Sequence, residues 1–456
     1  MATTTVSIGS NQSISTVTPD TCSGSDPYTV TFTSSPSSNV AVGDIFVMDD
    51  PINGEIIFLL TSISGSDYTL DYKTGGLGAD SPCNITDEYG DQIDGTFKRA
   101  FSTITLFESM IDDVSPSYWG TTDDVVGELH ADSTFTDNQV TFNSKQSLSS
   151  VKLTVNSDDR HDGTAESGAL LKPTSGTTHN VGIIKVEIDD FTIEWLDISL
   201  DSLDSTTTNK AIQLGGGGNC IVRNNLIHDK GGNPGSSGPT MIQGTTAGSS
   251  GDTVYILNNI IYNVVETSND HTHGIVFWSW QQSLYIYNNT LYKLTAQGGG
   301  KAVLGIRFGQ HSSSVNYIKN NIVSTLTASD DVAAYQKVNA SSTTHTANNL
   351  SDTTTDAAWN AEDMGQNLND GTALTGKSLA EIDFVSTSAG SEDLHLDTDS
   401  VCLEAGVDLG TTNNVNIDID GVDRDATGVT WDIGADQASL ADAGTSGPAF
   451  LMFLDI

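Results

Sequence analysis

A pair of adjacent asparagines recurs at a nearly regular interval along this chain, at 224/225, 258/259, 288/289, 320/321 and 348/349, with spacings of 34, 30, 32 and 28 residues. Each pair sits in the same apolar frame: Ile221-Val-Arg-Asn-Asn-Leu-Ile227, Ile256-Leu-Asn-Asn-Ile-Ile261, Ile286-Tyr-Asn-Asn-Thr-Leu291, Ile318-Lys-Asn-Asn-Ile-Val323 and Thr346-Ala-Asn-Asn-Leu350. Ahead of each pair lies a second β-rich stretch, namely Ala211–Leu214, Met241–Gln243, Gly274–Phe277, Gly305–Phe308 and Ala334–Gln336. A weaker coil, Phe191–Ile198, carries Trp195 near the Asn position, and Val151–Val155 with Ile183–Ile188 starts the series. A fixed frame at this period marks stacked units that cannot bury their apolar faces alone. Asn suits the sharp bend between two strands because it tolerates the left-handed backbone region better than other non-glycine residues. Stacked coils bring equivalent amides to about 4.8 Å, within range of a hydrogen-bonded ladder. These features predict a right-handed parallel β-helix over about residues 139–365 in an all-β chain. Surface turns of an ordinary β-sandwich would not share one apolar frame, and a leucine-rich repeat lacks its leucines here.

The flanks have a different texture. Residues 1–95 alternate short β-rich runs (Tyr28–Phe32, Ile45–Met48, Glu55–Leu60, Tyr68–Tyr72) with turn signals at Gly43-Asp44 and Asn53-Gly54. They predict a small β-sandwich or barrel that attaches or orients the solenoid. Residues 96–138 hold a helix within Arg99–Val114, whose Phe101, Ile104, Phe107, Met110/Ile111 and Val114 form one apolar face. A solenoid needs such a cap because its first coil exposes unpaired edges and apolar interior. Residues 366–437 close the fold. Residues 438–456 end in the apolar tail Ala449–Leu454, suited to packing on a neighbouring subunit or coil. Cys22 and Cys83 share the N-terminal segment and are disulfide candidates, whereas Cys220 and Cys402 read as buried single thiols.

A net charge of −41, from 59 acidic and 18 basic side chains, argues against nucleic acid and anionic membranes as partners. Acidic clusters could collect Ca²⁺, although a solvated surface accounts for most of them; no other cofactor is indicated. The opening MATTTVSIGSNQ lacks the pattern of a secretory signal, and no apolar run approaches the roughly 20 residues that span a bilayer. The expectation is a chain that is intracellular, released by lysis, or mature as given, without membrane insertion.

Near the end, Phe384-Val385, Asp393-Leu-His-Leu396, Ser400-Val-Cys-Leu-Glu-Ala-Gly406, Asp418-Ile-Asp-Gly421, Arg424 and Asp432-Ile-Gly-Ala-Asp436 follow one another over roughly 55 residues. This series resembles the closing module of many extracellular bacterial and phage β-helix proteins of the pectin-lyase-like superfamily. It departs at Val401, where proline is usual, and at Asp436-Gln437, where Tyr-Glu is usual. Upstream, Asp158-Asp-Arg-His-Asp-Gly163, Gly168–Leu171 and the Arg99–Glu108 helix resemble segments of phage-encoded β-helix proteins. The resemblance implies a fold-completing role for Asp418, Asp420, Arg424 and Asp432, with Arg424 paired to one of those aspartates.

β-helix enzymes that cleave polysaccharide need two carboxylates at a suitable separation, or a base beside a neutralised uronate. The densest candidate set is Asp270, His271 and His273, with Arg307 and His311 one coil on, and His228-Asp229 earlier; Trp278 and Trp280 could stack on sugar rings. Asp270, His273 and Arg307 are therefore the catalytic candidates, and Trp278 and Trp280 the glycan candidates. The bland roles compete: loop histidines as polar surface, Arg307 as an intra-stack ion pair, the tryptophans as packing. The leading expectation is a structural virion surface protein, as capsid decoration or spike/fibre, binding other virion proteins or like subunits (a homotrimer fits), with cell-surface polysaccharide as a further partner. The alternatives are a tailspike-like or secreted polysaccharide lyase or hydrolase, and a bacterial adhesin. The place is accordingly a virion surface or extracellular.

Overall fold

A computed structural model describes residues 3–50, 54–74, 81–86, 89, 91–112, 123–174, 181–201, 210–216, 218–231, 238–245, 252–267, 270–278, 283–309, 313–338, 342–352, 372–426 and 430–438. Three parallel sheets, one of nine strands and two of seven, wind into a β-solenoid. One coil illustrates all. Thr253–Leu257 lies in the first sheet, Asn258-Asn259 makes the corner, Ile260–Glu266 lies in the second sheet and Thr272–Phe277 in the third. The next coil repeats this in register, with Ile256 beside Ile286, Ile261 beside Leu291 and Ile275 beside Ile306. These residues are sealed from solvent. Each contributes roughly 1.5–3 kcal/mol of burial, so the apolar frame read in the sequence is the core itself.

The two asparagines of a pair have different tasks. The first residue (Asn224, Asn258, Asn288, Asn320, Asn348) takes the left-handed conformation, with φ between 51° and 55°. The second faces inward. Asn289 Oδ1 accepts the main-chain N–H of Asn259 at 3.1 Å and its side-chain Nδ2 at 3.0 Å, while Asn289 Nδ2 donates to Asn321 Oδ1 at 2.9 Å and to the Ile256 and Tyr287 carbonyls. The same links join Asn225 to Asn259 and Asn321 to Asn349. The ladder begins at the Trp195 coil, where Trp195 adopts φ 65° and Leu196 N–H donates to Asn225 Oδ1.

The stack differs from its expected limits. Thr3–Ile8 pairs in parallel with Asp124–Leu129, which pairs with Ser150–Val155, so the first six described residues are a rung of the solenoid. Alternating Val and Ile beside polar residues reads alike in either module, so the sequence does not separate them. At the other end, the last rung is Leu350-Ser351, extended by a bridge from Leu350 to Leu374. The helix spans Ile104–Asp112 and buries Ile104, Phe107 and Ile111 against the first coils, where Gly127 leaves room for the Phe107 ring. Val114 and the tail Ala449–Leu454 lie outside the described residues, as does every residue from 439 onward.

Between the first rung and the helix, seven antiparallel strands form one curled sheet. Its two edges, Ser15–Val17 and Pro19–Ser23, are consecutive in the chain, so the sheet bends round into a small barrel over Phe46, Phe58 and Phe97. Cys22 and Cys83 are bonded across it. Arg99 ties barrel to solenoid, its buried guanidinium contacting Asp44 at 2.9 Å on one side and Asp132 at 2.8 Å on the other.

Asn289→Ala leaves several sealed donors and acceptors unpaired, at about 1–3 kcal/mol each. Its denaturant midpoint should fall well below that of Asn288→Gly, which keeps the left-handed corner; equal losses would show that the ladder contributes nothing special. Reducing the Cys22–Cys83 bond opens a loop of 61 residues. The chain-entropy model puts that at up to about 4 kcal/mol. The barrel should therefore become protease-sensitive while the solenoid stays resistant.

Candidate functional site

The third sheet carries His273 and Arg307, with Asp270 and Trp278 just beyond the ends of the His273 strand. His273 pairs in register with Leu304, and Val276 with Arg307, so both side chains reach the outer face of neighbouring rungs. The Arg307 guanidinium lies 4.1 Å from the Trp278 ring centre, the His273 ring 6.0 Å from Trp278, and the His271 ring 6.2 Å from His273. The structure thus gathers His271, His273, Trp278 and Arg307. Asp270 turns away, accepting the His271 main-chain N–H at 2.8 Å, and no hydrogen bond joins it to His273 among the described residues. Trp280 and His311 lie outside the described residues. Burial first, then Arg307 and His271, push His273 down to about 3, so its imidazole is neutral. A base working near neutrality needs an accessible group that titrates there. His273 is buried, and the cluster reads as a cation packed among aromatic rings.

The segment with the resemblance runs along the flank of the solenoid. From the last coil it turns back and crosses the Asn corners in reverse. Asn348 Nδ2 donates to the Ala405 carbonyl at 2.7 Å, Asn320 Nδ2 to Val407 at 2.8 Å, Asn258 Nδ2 to Ile417 at 2.7 Å and Asn224 Nδ2 to the Ile417 and Asp418 carbonyls. The first asparagine of each pair therefore holds a C-terminal strap, a task the repeat pattern could not reveal. Arg424 is fully buried in this strap. Its guanidinium donates to the carbonyls of Gly434, Ala435 and Asp436 and to Gln437 Oε1, and the charges of Asp418, Asp432 and Asp436 favour its protonated form. Asp418 instead accepts the main-chain N–H groups of Asp420, Val422 and Gln437, and burial pushes it up to about 7 despite Arg424. Asp432 accepts the Glu404 N–H and is likewise raised by burial, to about 6.

A second column of strained corners lies in the second sheet. Asp229, Asn263, Lys293 and Thr325 all have φ between 54° and 58°. Such backbones cost about 1–2 kcal/mol outside glycine and tend to mark places where geometry matters. Beside them, outward-facing His228, Tyr262, Tyr292 and Ser324 stack in register. The hairpin Phe384–Ser388/Ser391–Leu396 lies over the Tyr292 end, where Glu392 accepts Asn263 Nδ2 at 2.8 Å and contacts Lys293 at 3.4 Å. Towards the His228 end the hairpin stands off from the sheet.

There a cleft of about 550 Å³ forms between the hairpin, the Thr164–Glu166 loop and a floor of His228 and Tyr262. The His228 and Tyr262 rings stack at 5.3 Å with planes 10° apart. His228 donates from Nε2 to buried Asp197 and from Nδ1 to Asp229, both at 2.8 Å. Burial opposes its charge, but the two carboxylates outweigh burial and raise it to about 9. Asp197 also accepts the Glu166 main-chain N–H at 2.6 Å, joining wall to floor. Next to the cleft, His395 bridges Asp393 and Asp420 and is raised to about 11 by them against burial. His395, Asp420 and Asp436 have metal-ligand spacing. Both ring nitrogens of His395 already hold carboxylates, so the group acts as a charged clasp. His228-Asp229 was visible in the sequence; Tyr262 and Glu392 were not, because nothing in the pattern shows which outward residues the hairpin leaves uncovered.

No family model, curated protein or solved structure matches the chain.

His228, His395, Asp418 and Asp432 all bind protons more tightly folded than unfolded. Their stabilisation is complete below the unfolded values, near 4 for Asp and 6.5 for His, and is lost as pH rises through the folded ones. Asp229, Glu392 and Asp393 are held low and act oppositely in acid. The melting temperature should peak at about pH 5 and decline towards pH 9. His395→Asn should flatten the alkaline limb, and an unchanged slope would remove the clasp from the account.

Proposed function

We propose that this chain is a non-enzymatic surface protein of a virion, a spike, fibre or capsid decoration of the pectin-lyase-like β-helix type, and that it binds glycan on its flank. The observation that carries this reading is the double fastening of every Asn corner. The second asparagine bonds rung to rung, and the first bonds each rung to the returning strap. Such a rod resists fraying from its ends, the usual weak point of a repeat protein, which suits a part exposed to the environment. The barrel is fixed at the first rung through Arg99 and supports an end-on mount. The buried, neutral His273 and the Arg307–Trp278 stack support structure over polysaccharide cleavage. An acidic surface keeps such a rod soluble and discourages anionic partners.

Antibody-gold labelling of particles purified from a lysate of the source is the direct check. Label at a defined position on the particle is expected, together with no release of reducing ends or unsaturated uronates from host polysaccharide. Label confined to the particle-free fraction, or steady product release that survives repurification, would overturn the reading.

A further inference from the structure

We infer that the cleft between the second sheet and the C-terminal hairpin is a binding site for an uncharged oligosaccharide of two or three sugar units, recognised through the Tyr262 hydroxyl. This rests on the glycan-binding part of the reading above and assigns it a place and a ligand class.

Tyr262 is 2% exposed. Its ring is packed on His228, burial raises its pKa, and its hydroxyl makes no hydrogen bond to the described residues. The residue lines the cleft. A buried phenol normally finds a partner for its hydroxyl. Here the cleft is the side from which water, or a ligand hydroxyl that displaces it, reaches this oxygen. Thr164, Ser386 and Ser391 line the same space.

Charge narrows the ligand. The carboxylates here have cationic partners already: Asp229 holds His228, Glu392 holds Lys293, Asp393 holds His395 and Glu166 approaches Lys172. No excess positive charge remains to hold a uronate, and the chain as a whole repels anions. What the walls offer is neutral hydroxyls and carboxylate oxygens that can accept further hydrogen bonds, the complement of a sugar's vicinal hydroxyls. The volume of about 550 Å³ lies within the usual range of small-molecule sites and admits on the order of two or three pyranose rings. The floor is rigid, because Asp197, His228, Asp229 and Asn263 form one chain of hydrogen bonds. Little ordering is therefore left to binding.

The test is calorimetric and NMR titration of the full chain with neutral trisaccharides built from glucose, galactose, mannose and N-acetylglucosamine, with trigalacturonate as the anionic counterpart. At least one neutral trisaccharide should bind saturably at millimolar concentration or below. Tyr262→Phe, which keeps the ring stack, should weaken it about fivefold to tenfold. Ser391→Trp, on the exposed hairpin rim, should block it. Equal binding by both variants would place the glycan elsewhere and overturn the cleft while leaving a glycan-binding rod standing. Trigalacturonate binding as tightly as the neutral sugars would overturn the ligand class. No binding by any trisaccharide would remove the cleft and the glycan part of the proposed function together.

Discussion

The rest of the structure depends on the hydrogen-bonded corner between the first and second sheets. A parallel solenoid has to reverse its chain once per rung in the interior, where an unpaired amide costs 1–3 kcal/mol. Asn meets both demands of that corner. It accepts the left-handed backbone at one position, and at the next it supplies a donor and an acceptor at the height where the neighbouring rung presents theirs. Ile, Val and Leu columns then close around the ladder, since a rung fixed at its corner cannot slip by one residue without turning its apolar set to solvent.

The same corner explains the C-terminal segment. The first asparagine, left-handed and turned outward, would otherwise present an amide to water. The strap from Ala405 to Asp418 collects these amides one after another. Residues remote in sequence thereby hold together rungs that already hold each other. Buried Arg424 performs the equivalent service for the strap, gathering carbonyls that its tight turns leave pointing inward. The acidic groups packed around it ionise late because they are buried among one another, not because the strap has chemistry to perform.

The repeating part was legible throughout and the non-repeating part only where local pattern spoke, for a physical reason. Ile256, Ile286 and Ile318 are spelled by periodicity, because the same environment recurs and asks for the same residue. The barrel, the Ile104–Asp112 helix and the disulfide between Cys22 and Cys83 were approachable from local pattern. Thr3–Ile8 was misplaced because a single rung cut off from its stack carries no period. Asp270 and His273, close in sequence, and Arg307, one coil on, attracted attention as reactive side chains, but reactivity depends on burial and partners, which for His273 come from Thr240 and Arg307 on other rungs. Tyr262 has the opposite history. It occupies an unremarked repeat position and matters only because the hairpin and the Thr164–Glu166 loop leave a cleft against it.

That last point bears on how a solenoid acquires a site at all. A perfect stack offers identical surfaces on every rung, and an outward column such as His228, Tyr262 and Tyr292 has no reason to bind at one height over another. Selectivity enters when something aperiodic crosses the column. Here the hairpin lies over Tyr292, reaches Asn263 and Lys293 through Glu392, and ends. The boundary between the rungs that the hairpin packs on and those it stands off from makes a concave step, and the rigid ladder beneath keeps the step from relaxing. The Asn corners that fasten the strap therefore also fix where the cleft opens, so the repeat supplies the rigidity of the site and the closing segment its position.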